Sequence, residues 1–213
     1  MASIPIVEPR VEEYLDTLLP SETDPILDEM DKEAHRRDFP HVGPHVGQLL
    51  FILARSTGAR RVLELGSGFG YSAYWFAKGM GEGGEIHCTD LSPDSKEQAQ
   101  EYFRRAGMAS RLHFHVGDSL SVAKEPKGPF DIVFNDIDKE DYPKTIDFAY
   151  QRLGPGGLFI TDNTLWYGRP ALNPNLDEAT RAVVEFNAKL RDDPRWTVST
   201  LPLRDGVTVC VKL

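Results

Sequence analysis

Two carboxylates, an amide and a lysine are the residues of this chain whose types and spacing point most directly to chemistry. Asp136 ends the apolar run FDIVFND, Lys139 follows it by three positions, and Asp162 and Asn163 follow a second apolar run, GLFIT. If the two runs are neighbouring parallel strands, these side chains share one crevice at the carboxyl edge of the sheet. Carboxylate and amide oxygens form a hard ligand set that suits Mg²⁺ or another small divalent cation better than zinc. We therefore predict a cation site at Asp136, Asp162 and Asn163.

Lys139 is the candidate for a general base beside that cation. A lysine near a divalent cation gives up its proton more readily, because the two positive charges repel each other. The neutral amine can then deprotonate a phenol whose own acidity is increased by coordination. The alternative for Lys139 is an exposed lysine at a helix start, and Asp162 and Asn163 could instead serve only loop backbone groups. Asp138 is either a further acid of the site or a surface residue.

A glycine-rich turn indicates a nucleoside-binding site. The run VLEL leads into GSGFG, with Glu64 near the end of the first strand and Asp90 at the end of the second. Glycines let the backbone approach a ligand closely, and an acid at Asp90 can accept hydrogen bonds from both ribose hydroxyls. The spacing is GxGxG rather than the GxGxxG of a pyrophosphate site.

The carboxylate of Glu64 distinguishes between the cofactors that such a turn could bind. It would repel a pyrophosphate but attract an ammonium or a sulfonium, and S-adenosylmethionine carries both cations. We therefore expect S-adenosylmethionine rather than a nicotinamide cofactor. The alternative for Glu64 is an ion pair with a nearby Arg or Lys. Asp118 and Ser119, after the third strand, either reach the adenine or act as turn and cap residues.

Alternating strands and helices must position these groups, and the alternation predicts a doubly wound, mainly parallel sheet of seven strands. Apolar spacing predicts strands at 61–65, 85–89, 111–116, 130–135 and 158–161, then a hairpin at 196–203 and 207–213. It predicts helices at 7–19, 24–37, 47–56, 71–78, 93–106, 144–152 and 177–191. Residues 39–47 are expected to form a loop and 154–157 a turn, with Ser92 capping one helix and Ser21 or Thr23 another. We expect one domain, 1–213, with an N-terminal helical extension at about 1–46.

Composition excludes several classes of protein. The 213 residues carry a net charge of −9, from 24 basic and 33 acidic residues, which argues against nucleic acid as the main partner. No apolar run approaches the length of a membrane span, and the N-terminus lacks the pattern of a signal peptide. Cys88 and Cys210 lie in apolar runs and are expected to be buried free thiols. We expect a cytoplasmic protein with no membrane partner.

Taken together, these motifs resemble the class I cation-dependent O-methyltransferases, the catechol and caffeoyl-coenzyme A group. The resemblance rests, in order, on HVGQLL, VLELGSGFGYSA, the acid at Asp90, FDIVFNDIDKEDY, LGPGGLFITDNTLWYG and RDGVTVCVK. It covers most of the chain from about His45 onward. Its most specific part is the pattern DxDKxxY followed by DN.

The resemblance implies metal-dependent methyl transfer from S-adenosylmethionine to a hydroxyl of a small vicinal diphenol, which the family clamps on the metal through both oxygens. Lys139 would be the base, and Asp136, Asp162 and Asn163 would bind the metal. The implied cofactor residues are Val42, Glu64, Gly66, Ser72, Asp90, Ser119 and Asp136, and the implied substrate residues are Lys139, Asn163, Trp166 and Tyr167. A homodimer is the expected assembly.

Some features depart from the family pattern. The segment RRDFPHVGPHVG is unusually rich in His and Pro, and a metal-binding pair of His41 and His45 is disfavoured because Gly43 and Pro44 should break any helix between them. Asn135 is an unexplained polar residue at a strand end. Three other functions remain open: methyl transfer to another acceptor such as a protein or RNA, a non-catalytic S-adenosylmethionine-binding role, and a nicotinamide oxidoreductase.

Overall fold

A computed structural model describes residues 4–20, 24–172 and 177–213 of the protein. Within these residues the strands are β1 (Arg61–Leu65), β2 (Glu85–Asp90), β3 (Leu112–Val116), β4 (Phe130–Asn135), β5 (Leu153–Thr161), β6 (Trp196–Leu201) and β7 (Val207–Lys212). The helices are α1 (Pro9–Asp16), α2 (Pro25–Arg37), α3 (Gly43–Thr57), α4 (Tyr71–Gly79), α5 (Pro93–Arg105), α6 (Ser119–Val122), α7 (Tyr142–Arg152), α8 (Arg169–Leu172) and α9 (Glu178–Asp192). The strands form a mixed seven-stranded sheet in the order β3-β2-β1-β4-β5-β7-β6, which confirms the predicted fold class.

One compact unit comprises Leu15–Lys127. Its strands β1, β2 and β3 are parallel, with Glu64 opposite Cys88 and Asp90 opposite Val116. Strand β1 is buried from its second residue onward, as expected where helices cover both faces of a parallel sheet. The glycine turn follows β1 directly, so that the polar residues around it lie at the carboxyl end of the strand.

The other compact unit combines Met1–Tyr14 with Gly128–Leu213. Here β4 and β5 are parallel, with Asn135 opposite Thr161, and β5 pairs antiparallel with β7. Strands β6 and β7 form the predicted terminal hairpin. Phe186 of α9 anchors the core of this unit, its ring centroid 5.4 Å from that of Tyr142 and 6.1 Å from that of Phe159. These aromatic contacts place α7 and α9 over the strands that end at the acids.

Several predicted boundaries are wrong: α1 covers only Pro9–Asp16 rather than 7–19, and two larger differences have identifiable reasons. Helix α3 begins at Gly43 rather than Gly47, with Pro44 in its first turn, where a proline loses no intrahelical hydrogen bond. The predicted loop is therefore shorter, and His45 lies on a helix. Strand β5 begins at Leu153, because the expected turn at 154–157 is an irregularity in the pairing of β5 with β4.

Other local predictions are confirmed. The Ser92 hydroxyl accepts a hydrogen bond from the Ser95 amide at 3.2 Å and caps α5. Cys88 and Cys210 are buried and free.

Ser21 and Thr23 lie outside the described residues, and Asp24 caps α2 instead. No helix in the described ranges is long and apolar enough to cross a membrane. The assignment of the whole chain to a single domain stays a prediction.

Candidate active site

The predicted acids lie together at the ends of β4 and β5. Asn135 and Thr161 are paired, so Asp136 and Asp162 follow at the same edge, and the Asp162 amide donates to the Asn135 carbonyl at 3.1 Å. Asp162 is 4% exposed, and its Oδ1 has no hydrogen-bond partner among the described residues. An alternative role confined to loop backbone groups does not account for that buried oxygen.

Burial and mutual repulsion disfavour the charged form of this acid pair. Burial raises the pKa of Asp162 to about 7, and the neighbouring Asp136 carboxylate contributes to the rise. Burial also raises the pKa of Asp136, although the Lys139 ammonium opposes that effect. A divalent cation bound between the two carboxylates would offset both the cost of burying their charge and their mutual repulsion. The oxygen donors present, with one buried oxygen unsatisfied, therefore fit Mg²⁺.

Asn163 continues from Asp162 in a left-handed conformation, with φ of 56°. Asparagine tolerates this region better than most residues, so the turn can place its amide beside the acids at modest cost. The turn is braced by the β6–β7 connection, because the amides of Thr164 and Leu165 donate to the carbonyls of Gly206 and Asp205 at 2.9 and 2.8 Å. Hydrogen bonds to the β6–β7 connection, which is distant in sequence, therefore hold the turn that carries Asn163.

Lys139 is only 9% exposed, so the alternative of a solvent-exposed lysine is wrong. It lies in a 3₁₀ turn, Lys139–Asp141, directly before α7. Its Nζ donates to Asp136 Oδ1 and to the Ile137 carbonyl, each at 3.1 Å, and to the Tyr142 hydroxyl at 2.7 Å. The Lys139 amine is therefore buried and paired with Asp136, so it would act as a base only beside a cation whose positive charge opposes its protonation. Asp138, by contrast, is exposed.

Tyr142 is the residue of this site whose role the sequence did not reveal. Its hydroxyl donates to the Asp162 carbonyl at 2.9 Å while accepting from Lys139, so one side chain links the base to the backbone of a predicted metal ligand. Burial raises the pKa of Tyr142, so the hydroxyl remains a donor. Tyr142 is the last residue of the sequence pattern DxDKxxY, and that position was the signal from which its role could have been predicted.

Trp166 and Tyr167 form a wall beside Lys139. The Lys139 Nζ lies 5.3 Å from the centre of the Trp166 ring, and the two aromatic rings are 5.2 Å apart. Trp166 and Tyr167 both have positive φ, 42° and 56°, which is strain of the kind that accumulates at functional sites. A cleft of about 390 Å³ adjoins the wall, lined by Ile4, Pro5, Ile6, Glu12, Tyr167, Arg204 and Asp205. The N-terminal lining residues were not anticipated from the sequence.

Six of the seven predicted cofactor residues lie in the unit Leu15–Lys127, and the seventh, Asp136, lies in the other unit beside Asp162. Glu64 is fully buried, accepts a hydrogen bond from the Ser72 hydroxyl, and also accepts from the Cys88 thiol at 3.4 Å. Burial raises the pKa of Cys88 well above its usual range, so the thiol stays protonated as the donor. A fully buried carboxylate beside a glycine turn fits a cationic ligand group better than a phosphate.

Asp90 is tied to the same turn. One of its oxygens accepts from the Gly68 amide at 3.0 Å and the other from the Ser92 amide at 2.8 Å. Gly66 has φ of 79°, a conformation that favours glycine at the start of the turn.

Ser119 and Val42 are the remaining two predicted cofactor residues of this unit, and the structure describes them by position alone. Ser119 is half-buried at the first position of α6, whereas Asp118 caps that helix through the Ser121 amide at 3.0 Å. Val42 is buried immediately before α3. Their cofactor roles stay predictions.

The histidines near α3 do not form a pair with each other. His41 Nε2 lies 2.8 Å from Asp31 Oδ1, whereas His45 Nε2 lies 2.8 Å from Asp16 Oδ1. His41 precedes the first residue of α3, so no helix contains both histidines, and each contacts a different carboxylate.

Comparison with known proteins identifies the family. The O-methyltransferase family matches residues 19–213. The chain is 33% identical over 191 residues to tricin synthase 2 of Oryza sativa subsp. japonica, a match spanning 84% of this chain and 65% of that protein. It is 30% identical over 186 residues to a catechol O-methyltransferase of Niastella koreensis, with 84% of each chain covered. This chain belongs to the O-methyltransferase family.

Solved structures agree with that assignment. An O-methyltransferase from Bacillus cereus, crystallised in complex with SAH, has a TM-score of 0.84 and 28% identity, with 96% of this chain and 97% of that chain covered. The O-methyltransferase TomG from Streptomyces achromogenes, in complex with SAM, also has a TM-score of 0.84, with 27% identity and coverage of 95% and 96%.

Proposed function

We propose that this protein transfers a methyl group from S-adenosylmethionine to one hydroxyl of a small vicinal diphenol, in a reaction that requires a divalent cation such as Mg²⁺. The observation that carries the proposal is the pairing of half-buried Asp136 with buried Asp162, which has one unsatisfied carboxylate oxygen, while the Lys139 amine donates to Asp136. The names of the relatives, which include catechol and caffeoyl-CoA O-methyltransferases, support the acceptor class.

The cofactor residues would bind S-adenosylmethionine through charge and shape. S-adenosylmethionine supplies a methyl group that is already activated by a positive sulfur. Glu64 would attract a cationic group, and the hydrogen bonds from Ser72 and Cys88 hold its carboxylate in one orientation. Asp90, fixed by two backbone amides, would accept from the ribose hydroxyls.

The metal residues would hold the cation through oxygen atoms only. Asp136, Asp162 and Asn163 are the expected ligands, and the bound cation would supply Lewis acidity that makes a nearby phenol easier to deprotonate. Lys139 would take that proton at Nζ, and Tyr142 would hold the amine in position through its hydroxyl. The aromatic wall of Trp166 and Tyr167 would exclude water from the reacting atoms, which favours the combination of an anion with a cation.

The buried position of Lys139 weighs against a non-catalytic S-adenosylmethionine-binding role. Burying a lysine paired with Asp136 is costly, and a protein that only bound the cofactor would gain nothing evident from it. Methyl transfer to RNA is disfavoured by the net charge of −9, which would repel the phosphates of a nucleic acid.

The test is product mass after incubation of the purified protein with S-adenosylmethionine, Mg²⁺ and matched acceptors. Diphenols with adjacent hydroxyls should gain one methyl group, whereas isomers with separated hydroxyls should gain none, because only the former can place two oxygens on one cation. Equal turnover of both isomers would contradict the role of the cation in holding the acceptor. Cofactor binding without any product would contradict the reaction itself.

A further inference from the structure

A second group of potential metal ligands, the histidine cluster, lies on β2 and β3. It comprises Glu85, His87, His113 and His115. His87 is directly opposite His113 in the parallel pairing, and Thr89 is opposite His115. Because side chains alternate across a strand, Glu85 and His87 share one face of β2, and Cys88, which contacts Glu64, lies on the other. The histidine cluster therefore lies on the face of the sheet opposite the Glu64 carboxylate.

The distances from the Glu85 carboxylate to the two histidines are close to the ligand separation of a zinc site. Glu85 Oε1 lies 3.4 Å from His87 Nε2, and Glu85 Oε2 lies 3.6 Å from His113 Nε2. One potential ligand atom from each of the three side chains lies within 4.8 Å of the others. Two ligands on a tetrahedral ion with bonds of about 2.0–2.1 Å are separated by about 3.3–3.4 Å. The His87 and His113 rings are stacked, with centroids 4.8 Å apart and planes inclined by 18°, so both rings approach Glu85 from the same side.

Neighbouring groups orient the potential ligands. His87 Nδ1 lies 3.2 Å from His115 Nε2, and a proton donated there by His87 would direct the lone pair of its Nε2 towards Glu85. Arg61 Nε donates to Glu85 Oε1 at 2.6 Å and holds that carboxylate in place.

We propose that Glu85, His87 and His113 form a second cation site, selective for Zn²⁺ and independent of the proposed methyl transfer. Two imidazoles and one carboxylate favour Zn²⁺, whereas the all-oxygen set of Asp136, Asp162 and Asn163 favours Mg²⁺. His113 is 45% exposed in its side chain, which leaves an entry path and room for a water as fourth ligand. Because β3 is an edge strand of the sheet, Zn²⁺ there would fasten it to β2.

A second carboxylate–histidine group, Asp31, His35 and His41, offers an internal comparison. There His35 Nδ1 lies 2.8 Å from the carbonyl of Asp31, so it is already engaged by its own helix, and the His35 side chain is 70% exposed. His41 Nε2 is in direct hydrogen-bond contact with Asp31 at 2.8 Å, closer than two ligands on one tetrahedral ion would be. We therefore expect the histidine cluster to bind Zn²⁺ and this second group not to.

The test is calorimetric titration of the chelator-treated full-length protein with Zn²⁺, with excess Mg²⁺ present to occupy the oxygen site. The wild type should bind one Zn²⁺ per chain, and its melting temperature should rise by roughly 5–10 °C at a hundredfold excess over Kd. His113→Gln removes a partly exposed ligand and should weaken binding by about 100-fold or more. His41→Gln, the matched control, should bind as the wild type does.

Three results would overturn the proposal: no Zn²⁺ binding by the wild type, unchanged binding by His113→Gln, or loss of binding in His41→Gln. If His113→Gln does not fold, Co²⁺ added to the wild type decides the question. An intense visible spectrum, typical of tetrahedral Co²⁺ with imidazole ligands, supports the site, and the weak spectrum of octahedral Co²⁺ contradicts it.

Discussion

Replacing Lys139 with arginine separates the role of a base from the role of a fixed positive charge. Lys139 Nζ donates to Asp136 Oδ1 at 3.1 Å, and arginine can keep this ion pair. A guanidinium stays protonated at neutral pH, however, and cannot accept the proton of a phenol. We therefore expect Lys139→Arg to retain Mg²⁺ binding but to lose turnover.

The expected loss follows from the general-base contribution, which is about 10²–10⁴ in rate, or about 2.7–5.4 kcal/mol of barrier. The assay is kcat under saturating S-adenosylmethionine, Mg²⁺ and diphenol, with the Kd of S-adenosylmethionine measured separately and expected to change less than about threefold. Lys139→Met, which removes the charge, should lose turnover similarly and also weaken the orientation of Asp136. A kcat of Lys139→Arg within about fivefold of the wild type would refute the base assignment.

Three further predictions concern neighbouring groups. Because the pKa of Asp162 is raised to about 7, protons should compete with Mg²⁺ for its carboxylate below that pH. The Mg²⁺ affinity should therefore fall about tenfold per pH unit below pH 7 and be constant above it. Asp162→Asn should bind Mg²⁺ at least about 100-fold more weakly and lose this pH dependence in the same titrations. Glu64→Gln keeps a hydrogen-bonding side chain but removes the negative charge, so S-adenosylmethionine should bind about 10–100-fold more weakly. Adenosine lacks both cations and should bind to this variant as it does to the wild type. Equal losses of affinity for the two ligands would contradict the charge argument. Asn135→Val should raise the free energy of unfolding by about 1–3 kcal/mol in denaturant titrations, because neither side-chain polar atom of Asn135 has a hydrogen-bond partner among the described residues. A fall in the free energy of unfolding would instead indicate that Asn135 has a polar partner in solution.

Local patterns accounted for most of the fold. Strand β4 was predicted with the observed bounds, Phe130–Asn135, because a short apolar run bounded by turn residues is a strong signal. The start of α3 at Gly43 was missed because glycine and proline were interpreted as helix breakers, although Pro44 fits the first turn. The pairing irregularity at the start of β5 depends on its partner strand, which the local sequence does not describe.

The candidate residues of the site could be found from the sequence, but the hydrogen bonds that connect them could not. The oxygen donors and Lys139 could be identified from their spacing at strand ends. The link through the Tyr142 hydroxyl, the bracing of Leu165 by Asp205, and the approach of Ile4 to Tyr167 all join residues distant in sequence or depend on side-chain direction. Such contacts follow from tertiary packing, and hydrophobic periodicity carries no information about them.

The most direct measurement of the central claim is the initial rate of diphenol methylation by chelator-treated protein as Mg²⁺ is added back. We expect negligible turnover without the cation and saturable recovery at one Mg²⁺ per chain, and Asp162→Asn should fail to recover over the same range. Full turnover in the presence of chelator would contradict a cation-dependent mechanism built on Asp136, Asp162 and Asn163.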